Sequence, residues 1–250
     1  MTGRDIARLS PAQTGADAPE PVITTHMLSD QVVDFLMREL VSGRIRQGDR
    51  INEAELARRL GISRNPIREA VKRLEERGLL VSVPRRGTFV RSFSRRDIDD
   101  LFSFRIAIES FALEQALGQL TTPLIDDLAG FVTEMEEAAE DGDEARLTAL
   151  DIAFHHRLCE LSGNRQTLHA FSQIQSEVQM LIALVDYGYD TLTAAAADHW
   201  PVVEALRKGE PAGAQTALTE HIRDAWSRIA REYDRAELED NRTGKEQGLT

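Results

Sequence analysis

The sequence has a single cysteine and no long hydrophobic run, and each shortage excludes a class of protein. Cys159 is alone among 250 residues, which excludes an intramolecular disulfide framework and a cysteine-rich zinc site. No run approaches the roughly 18 apolar residues that a membrane-spanning helix needs, and residues 1–26 lack the apolar core of a signal peptide. We therefore expect a cytoplasmic protein with no membrane partner. Cys159 is expected to be a buried small hydrophobic residue, with a redox sensor as the alternative.

Basic residues are fewer than acidic residues, and they are unevenly distributed along the chain. The sequence has 30 Lys and Arg against 42 Asp and Glu, a net charge of −12. That balance alone argues against a nucleic-acid partner. Residues 27–92, however, contain 14 Lys and Arg against 9 Asp and Glu, a balance of +5, which leaves −17 for the remainder. A modestly basic module joined to an acidic body is compatible with DNA binding, because binding depends on the local field.

The length of the chain suits two domains, or one large one, with ample core. Composition and pattern predict four segments. Residues 1–26, which include TGADAPEPV, are expected to form a disordered tail. Residues 27–92 and 95–235 are expected to form the two domains, and the polar segment 236–250 a flexible C-terminal tail.

Residues 60–74, LGISRNPIREAVKRL, have the pattern of a helix that a small domain presents to DNA. Apolar side chains recur at helical spacing from Ile67 to Leu74 and can seat the helix on a core. Pro66 is tolerable because it falls in the first turn, where backbone N–H groups have no partner inside the helix. The outward face carries groups suited to phosphates and guanine edges, namely Arg64, Asn65 and Arg68.

The flanking segments predict a winged helix-turn-helix over 27–92. The string INEAELARRLG at 51–61 predicts the preceding helix, which ends at Gly61. A further helix is expected at about 29–42. Two β-rich runs, 80–83 and 88–90, flank the turn Pro84-Arg85-Arg86-Gly87. They predict a two-stranded wing with a basic tip.

These residues resemble the GntR family of bacterial transcription regulators. The matching strings are RIRQGDRINEAELARRLGISRNPIREAVKRLEERGLL and PRRGTFV. Some family members read a base with an arginine on the preceding helix, and Ala54 occupies that position here. The resemblance implies a set of DNA contacts: Ser63, Arg64, Asn65, Arg68, Arg86 and Gly87.

From Arg95 onward, helical periodicity replaces the strand signals and predicts an all-α antiparallel bundle of six helices. The helices are expected at roughly 95–118, 122–140, 143–162, 164–187, 191–208 and 211–235, with turn or capping residues at each break. Pro201 requires the fifth helix to begin late, near Asp198, or to be kinked. The predicted fold class is therefore mostly α, with an N-terminal winged helix-turn-helix and a C-terminal six-helix bundle.

Four polar residues of the bundle could bind one metal ion. Asp151 and His155 are four residues apart, so their side chains lie about one turn apart on one helix face. His199 and His221 lie in the inward pattern of the last two predicted helices. Three imidazoles and a carboxylate suit Zn²⁺, our first choice, or Ni²⁺ or Mn²⁺. For each histidine, the alternative is a satisfied core residue or a helix cap.

The strings DIAFHHRLCELSGN and HWPVVEALRKGEPAGAQTALTEH resemble the FCD ligand-binding domain of the FadR subfamily. The resemblance implies that Asp151, His155, His199 and His221 ligate a divalent metal in a ligand pocket. The six helices and the short linker after Phe93 resemble the VanR-like group within that subfamily.

Two further residues are candidates for contact with an effector. The resemblance implies that Arg105 faces the pocket, where its guanidinium fork could clamp a carboxylate. The alternative is an i, i+4 pair with Glu109, worth only a few tenths of a kcal/mol on a helix surface. Asn164 is expected to cap the fourth bundle helix and, secondarily, to contact the effector. Residues 166–206 contain no Lys or Arg, which favours a monocarboxylate or a small hydroxy- or keto-acid.

The leading interpretation is a homodimeric, ligand-responsive transcription regulator that is not an enzyme. We expect a repressor of a catabolic operon that binds an inverted repeat in double-stranded DNA. A small organic acid would release it by binding the metal-containing pocket. One alternative is a metal-stabilised dimeric regulator without an effector. The other is a metal-dependent hydrolase, for which the sequence offers no clear general base beside the ligands.

The local charge of the first domain predicts a steep salt dependence of DNA affinity. Each phosphate that a Lys or Arg neutralises contributes a slope of about −0.9 in log K against log salt. We expect a clearly negative slope when duplex binding is followed by fluorescence anisotropy at increasing NaCl. A flat response would contradict a phosphate-dominated interface.

Overall fold

The structure is a computed structural model, and it describes residues 25–184 and 191–247. Its first part contains three helices and three short strands. The helices are α1 (Thr25–Val41), α2 (Glu53–Leu60) and α3 (Arg64–Glu76), and the strands are β1 (Arg50–Ile51), β2 (Leu80–Val83) and β3 (Gly87–Val90). The predicted tail at 1–26 lies outside the described residues, except for the two positions with which α1 begins.

Capping residues and an apolar face determine where the helices of the helix-turn-helix begin, end and pack. The Asn52 side chain accepts hydrogen bonds from the backbone N–H groups of Ala54 and Glu55, so α2 begins there. Gly61 ends α2 with φ of 66°, a left-handed conformation that glycine adopts without strain. The predicted inner face of α3 is confirmed, since Ile67, Ala70, Val71 and Leu74 are all buried.

The wing contains one strand more than the sequence predicted. β3 lies in the centre of an antiparallel sheet with the order β1-β3-β2, and Arg50 pairs with Phe89. The prediction of two strands was wrong because β1 contains only two residues, too few to show an alternating pattern.

The second part of the chain is a helical bundle. Its helices are α4 (Arg95–Ala116), α5 (Thr122–Glu140), α6 (Glu144–Leu161), α7 (Arg165–Leu184), α8 (Leu192–Ala197), α9 (Trp200–Lys208) and α10 (Pro211–Gln247). α4 packs against α6, α7 and α10, while α5 packs against α6, α8 and α9. The predicted mostly α fold, a winged helix-turn-helix followed by a helical bundle, is confirmed.

Two helix predictions in the bundle need correction. The predicted fifth helix, 191–208, is two helices, α8 and α9, with a break at Asp198–His199. The break occurs where Pro201 enters the first turn of α9, because proline has no N–H with which to continue the preceding helix. The last helix continues to Gln247, through the segment predicted as a flexible tail. The start of that segment, Ala236 to Glu239, consists of strong helix formers, which favour continuation of the helix.

The two parts of the chain share one hydrophobic core. The buried cluster extends from α1 and α3 through Phe93 and Ile98 into the bundle. α1 also packs against α7. Within the described residues, no helix is long and apolar enough to cross a membrane.

Candidate functional site

The structure brings the four predicted metal ligands together in the centre of the bundle. Asp151 and His155 lie on one face of α6, His199 lies at the break before α9, and His221 lies in α10. All four are buried, and one ligand atom from each lies within 4.8 Å of the others. The break between α8 and α9 therefore places His199 at the start of a helix.

The three imidazoles are oriented in the same way. In each ring, Nδ1 faces an oxygen: Glu109 Oε2 at 2.5 Å from His155, Asp198 Oδ2 at 3.0 Å from His221, and the Ala196 carbonyl at 3.2 Å from His199. An oxygen that accepts a hydrogen bond selects the tautomer with the proton on Nδ1. Each Nε2 then presents a lone pair toward the centre of the cluster.

The nitrogen and oxygen atoms that face the centre of this cluster are suited to bind a cation. The Nε2 atoms of His155 and His221 are 3.1 Å apart, although two lone pairs cannot form a hydrogen bond with each other. Asp151 Oδ2 is buried without a hydrogen-bond partner among the described residues, and so is His199 Nε2. That nitrogen lies 3.1 Å from Asp151 Oδ1 but lacks hydrogen-bond geometry. Buried polar atoms normally have a bonding partner. One divalent cation could bind an atom from each of the four side chains.

The protonation states are those that metal ligands need. Burial, reinforced by His199, lowers the pKa of His221 to about 3. Burial also lowers the pKa of His155, although the Glu109 carboxylate opposes that effect. For Asp151, burial would raise the pKa, but the neighbouring imidazoles hold it well below its usual range. At neutral pH, the cluster therefore contains an ionised carboxylate and neutral His155 and His221 rings.

The geometry of Arg105 is compatible with both roles considered for it. Its Nε donates to Glu109 Oε1 at 2.6 Å, and both side chains are completely buried, so this is not a weak surface pair. Burial would raise the pKa of Glu109, but Arg105 and His155 together lower it to about 2. Arg105 Nη2 has no hydrogen-bond partner among the described residues. It can therefore donate to a ligand while Nε remains paired.

A small cavity adjoins these groups. Arg105, Asp151 and His221 supply its polar wall. Its apolar wall comes from α7, α8 and α10: Ile182, Ala195, Ala225 and Ile229. The cavity measures about 20 Å³, roughly the space of one water molecule. An organic acid would therefore require the lining to move.

Asn164, the other candidate for an effector contact, is not among the residues that line this cavity. Its side chain accepts hydrogen bonds from the backbone N–H groups of Gln166 and Thr167, which makes it the N-cap of α7. Ile182, which does line the cavity, is 18 residues farther along α7, or about 27 Å at 1.5 Å per residue. The cap prediction is confirmed, and the effector contact stays a prediction that this cavity does not support.

The predicted DNA-contacting residues lie on the exposed surface of the winged part. Ser63, Arg64, Asn65 and Arg68 are exposed at the start of α3, and Arg86 is exposed at the tip of the wing. Ser63 makes no capping hydrogen bond. Between described residues, neither Arg64 nor Arg68 forms an ion pair.

Neighbouring cations on α3 have structural partners instead. Arg73 pairs with Asp30 of α1, and Lys72 pairs with Glu76 at 3.5 Å. Arg64 and Arg68 thus differ from Arg73 and Lys72 in having no ion-pair partner among the described residues.

Sequence reasoning missed Arg50. A Cβ at Gly87 would lie 2.9 Å from Arg50 Nε, and Gly87 has φ of 108°. The backbone conformation therefore favours glycine at the wing tip, and any larger residue would also require the Arg50 side chain to move. No sequence signal could show this contact, because it joins two strands across a sheet.

Comparisons with known proteins agree with this architecture. Residues 28–90 match the bacterial regulatory proteins of the gntR family, and residues 100–224 match the FCD domain. A "Probable D-xylose utilization operon transcriptional repressor" from Paenarthrobacter nicotinovorans is 32% identical over 206 residues, which cover 82% of this chain and 90% of that protein.

Two further relatives come from Escherichia coli. The "HTH-type transcriptional repressor RspR" of strain K12 is 24% identical over 200 residues, which cover 80% of this chain and 88% of that protein. The structure of E. coli McbR/YncC has a TM-score of 0.69 at 22% identity and covers 82% of this chain and 98% of that one. It shows the same fold.

Proposed function

The chain belongs to the gntR family of bacterial regulatory proteins and carries an FCD domain, and on that premise we propose that it is a metal-dependent, effector-responsive repressor. It is a transcription regulator rather than an enzyme, as its relatives are. The observation that carries the proposal is the buried set of four donors beside an arginine with an unpaired nitrogen. A catabolic operon as its target and a cytoplasmic location are parts of the same proposal.

The charges of the site favour an effector with one carboxylate. Arg105 and Glu109 neutralise each other, and Asp151 leaves one positive charge on a divalent cation. A monocarboxylate would neutralise that charge while accepting a hydrogen bond from Arg105 Nη2. Zn²⁺ suits the three imidazoles and the carboxylate, and Ni²⁺ and Mn²⁺ are the alternatives.

Helix α7 offers a physical route from the pocket to the DNA-binding domain. Ile182 lines the cavity, and Glu177 on the same helix pairs with Arg91 at 3.0 Å. Arg91 directly follows the wing, and its Nη1 lies 3.4 Å from the Gly78 carbonyl after α3. An effector that displaces Ile182 would therefore shift a helix that contacts the DNA-binding domain.

A regulator in which the metal is structural, without an effector, is the second candidate. The small volume of the cavity favours it, because no organic acid fits without movement of the lining.

Arg68→Ala is expected to weaken operator binding about 5- to 150-fold, because a bidentate base contact is worth about 1–3 kcal/mol. The measurement is a mobility shift on genomic fragments that the wild-type protein selects. Lys72→Ala is the matched control, since Lys72 already pairs with Glu76, and it should change affinity only slightly. Metal content should remain intact in both variants. Loss of metal from Arg68→Ala would mean that the division into two domains is wrong.

His199→Ala combined with His221→Ala is expected to remove the metal and the effector response, because half of the ligand set is lost. Metal is measured by elemental analysis, and response by operator release across a panel of organic acids. His156→Ala is the control: it lies beside the cluster on α6 but pairs with Glu160. An unchanged response in the double variant would refute the pocket. Metal loss without any wild-type response would favour the second candidate.

The homodimer is proposed to use one face of α4. Phe104 and Phe111 are 46% and 44% exposed, and they lie two turns apart with Ile108 between them. A second copy packed on this face would bring two recognition helices to the two halves of an inverted repeat.

Phe104→Asp combined with Phe111→Asp should convert the dimer to a monomer, because a buried unpaired carboxylate is costly. Light scattering after size exclusion reports the mass. Val81→Asp changes an equally exposed apolar residue on the wing and should leave the mass unchanged. A dimeric double variant would exclude this face.

A further inference from the structure

Glu109 lies between the two functional parts of the site. It is completely buried on α4, a helix that contributes none of the four metal donors. Its Oε1 accepts from Arg105 Nε at 2.6 Å, and its Oε2 accepts from His155 Nδ1 at 2.5 Å. One carboxylate thus contacts both the proposed clamp and a proposed metal ligand.

This contact determines which nitrogen of His155 can bind a metal. An ionised carboxylate only accepts hydrogen bonds, so the His155 proton must be on Nδ1. Nε2, which lies in the cluster, then keeps its lone pair. A donor in place of the carboxylate would favour the opposite tautomer and protonate the nitrogen that the metal needs.

The same contact determines how Arg105 can act. Glu109 occupies Nε of the guanidinium and leaves Nη2 unpaired at the cavity. Without the carboxylate, Arg105 would be a buried cation without its ion-pair partner, close to a site for a second cation. Like charges at short range in a protein interior repel strongly.

We propose that Glu109 is the positioning residue that holds His155 in its metal-binding tautomer and Arg105 in its ligand-facing orientation. The role in metal affinity rests on the proposed metal centre. The role in the tautomer of His155 does not, because it holds in the metal-free protein as well.

Glu109→Gln is the decisive substitution, because glutamine is nearly isosteric and can satisfy both partners in only one way. Its carbonyl oxygen can accept from Arg105 Nε, and its amide can then donate to His155 Nδ1. That arrangement moves the His155 proton to Nε2. We expect Zn²⁺ affinity, measured by competition with a chromophoric chelator, to fall about 10- to 100-fold, the usual effect of losing such a partner.

Glu136→Gln is the matched control. Glu136 accepts from Trp200 Nε1 at 2.7 Å in the same bundle but does not contact the cluster. Its substitution should leave Zn²⁺ affinity unchanged. Equal affinity in Glu109→Gln and the wild type would overturn the role of Glu109 in metal binding.

Nitrogen-15 NMR of the histidine rings in metal-free protein supplies a readout that a purely structural role would not change. The wild type should show His155 protonated on Nδ1, and Glu109→Gln should show it protonated on Nε2. A wild-type ring protonated on Nε2 would overturn the proposal even if the variant failed to fold. Absence of Zn²⁺ binding by the wild type would instead refute the metal centre, while the ring signals would still decide the role of Glu109.

Discussion

Three buried imidazole rings whose Nε2 atoms converge on one point are the constraint on which the bundle depends. Polar groups inside a protein are costly unless each is satisfied. The outer nitrogens are satisfied by Glu109, Asp198 and a main-chain carbonyl, but the inner nitrogens face one another. A divalent cation at the centre would satisfy the inner nitrogens together with the Asp151 carboxylate. The centre of the bundle thus has the donor set of a metal site.

Several helices place the groups of this centre. α6 supplies two donors from one turn, but His199 and His221 must approach from other directions. The break before α9 allows this, because it lets the chain turn between Ala197 and Trp200. α4 supplies no donor, yet it places Glu109 where it satisfies His155 and a buried guanidinium together. In the low dielectric of the interior, these interactions are far stronger than the same pairs on a helix surface.

Features encoded by short-range patterns could be predicted from the sequence, and features that depend on three-dimensional packing could not. The buried face of α3 and the Asp151–His155 pair follow from helical spacing alone. Grouping His199 and His221 with that pair required the family resemblance, because they lie on other elements. β1 was too short to show a pattern. The Arg105–Glu109 spacing is the same for a surface pair and for a buried one, so the role of Glu109 became apparent only from its burial. The position of Asn164 relative to the cavity could not be predicted, because it depends on the length of α7.

The proposed link between the pocket and the DNA-binding domain would depend on packing more than on charge. The Arg91–Glu177 pair is partly exposed, and such pairs are worth about 0–1 kcal/mol, at or below the 1–3 kcal/mol typical of coupling between sites. The continuous core that joins α1 to the bundle is a stronger connection, because closely packed side chains transmit displacement. Ile182 and Glu177 are five residues apart on α7, about 7.5 Å along its axis. An effector too large for a 20 Å³ cavity must displace aliphatic walls such as Ile182, and α7 packs directly against α1. Opening the pocket would therefore displace α7, the helix that contacts the DNA-binding domain.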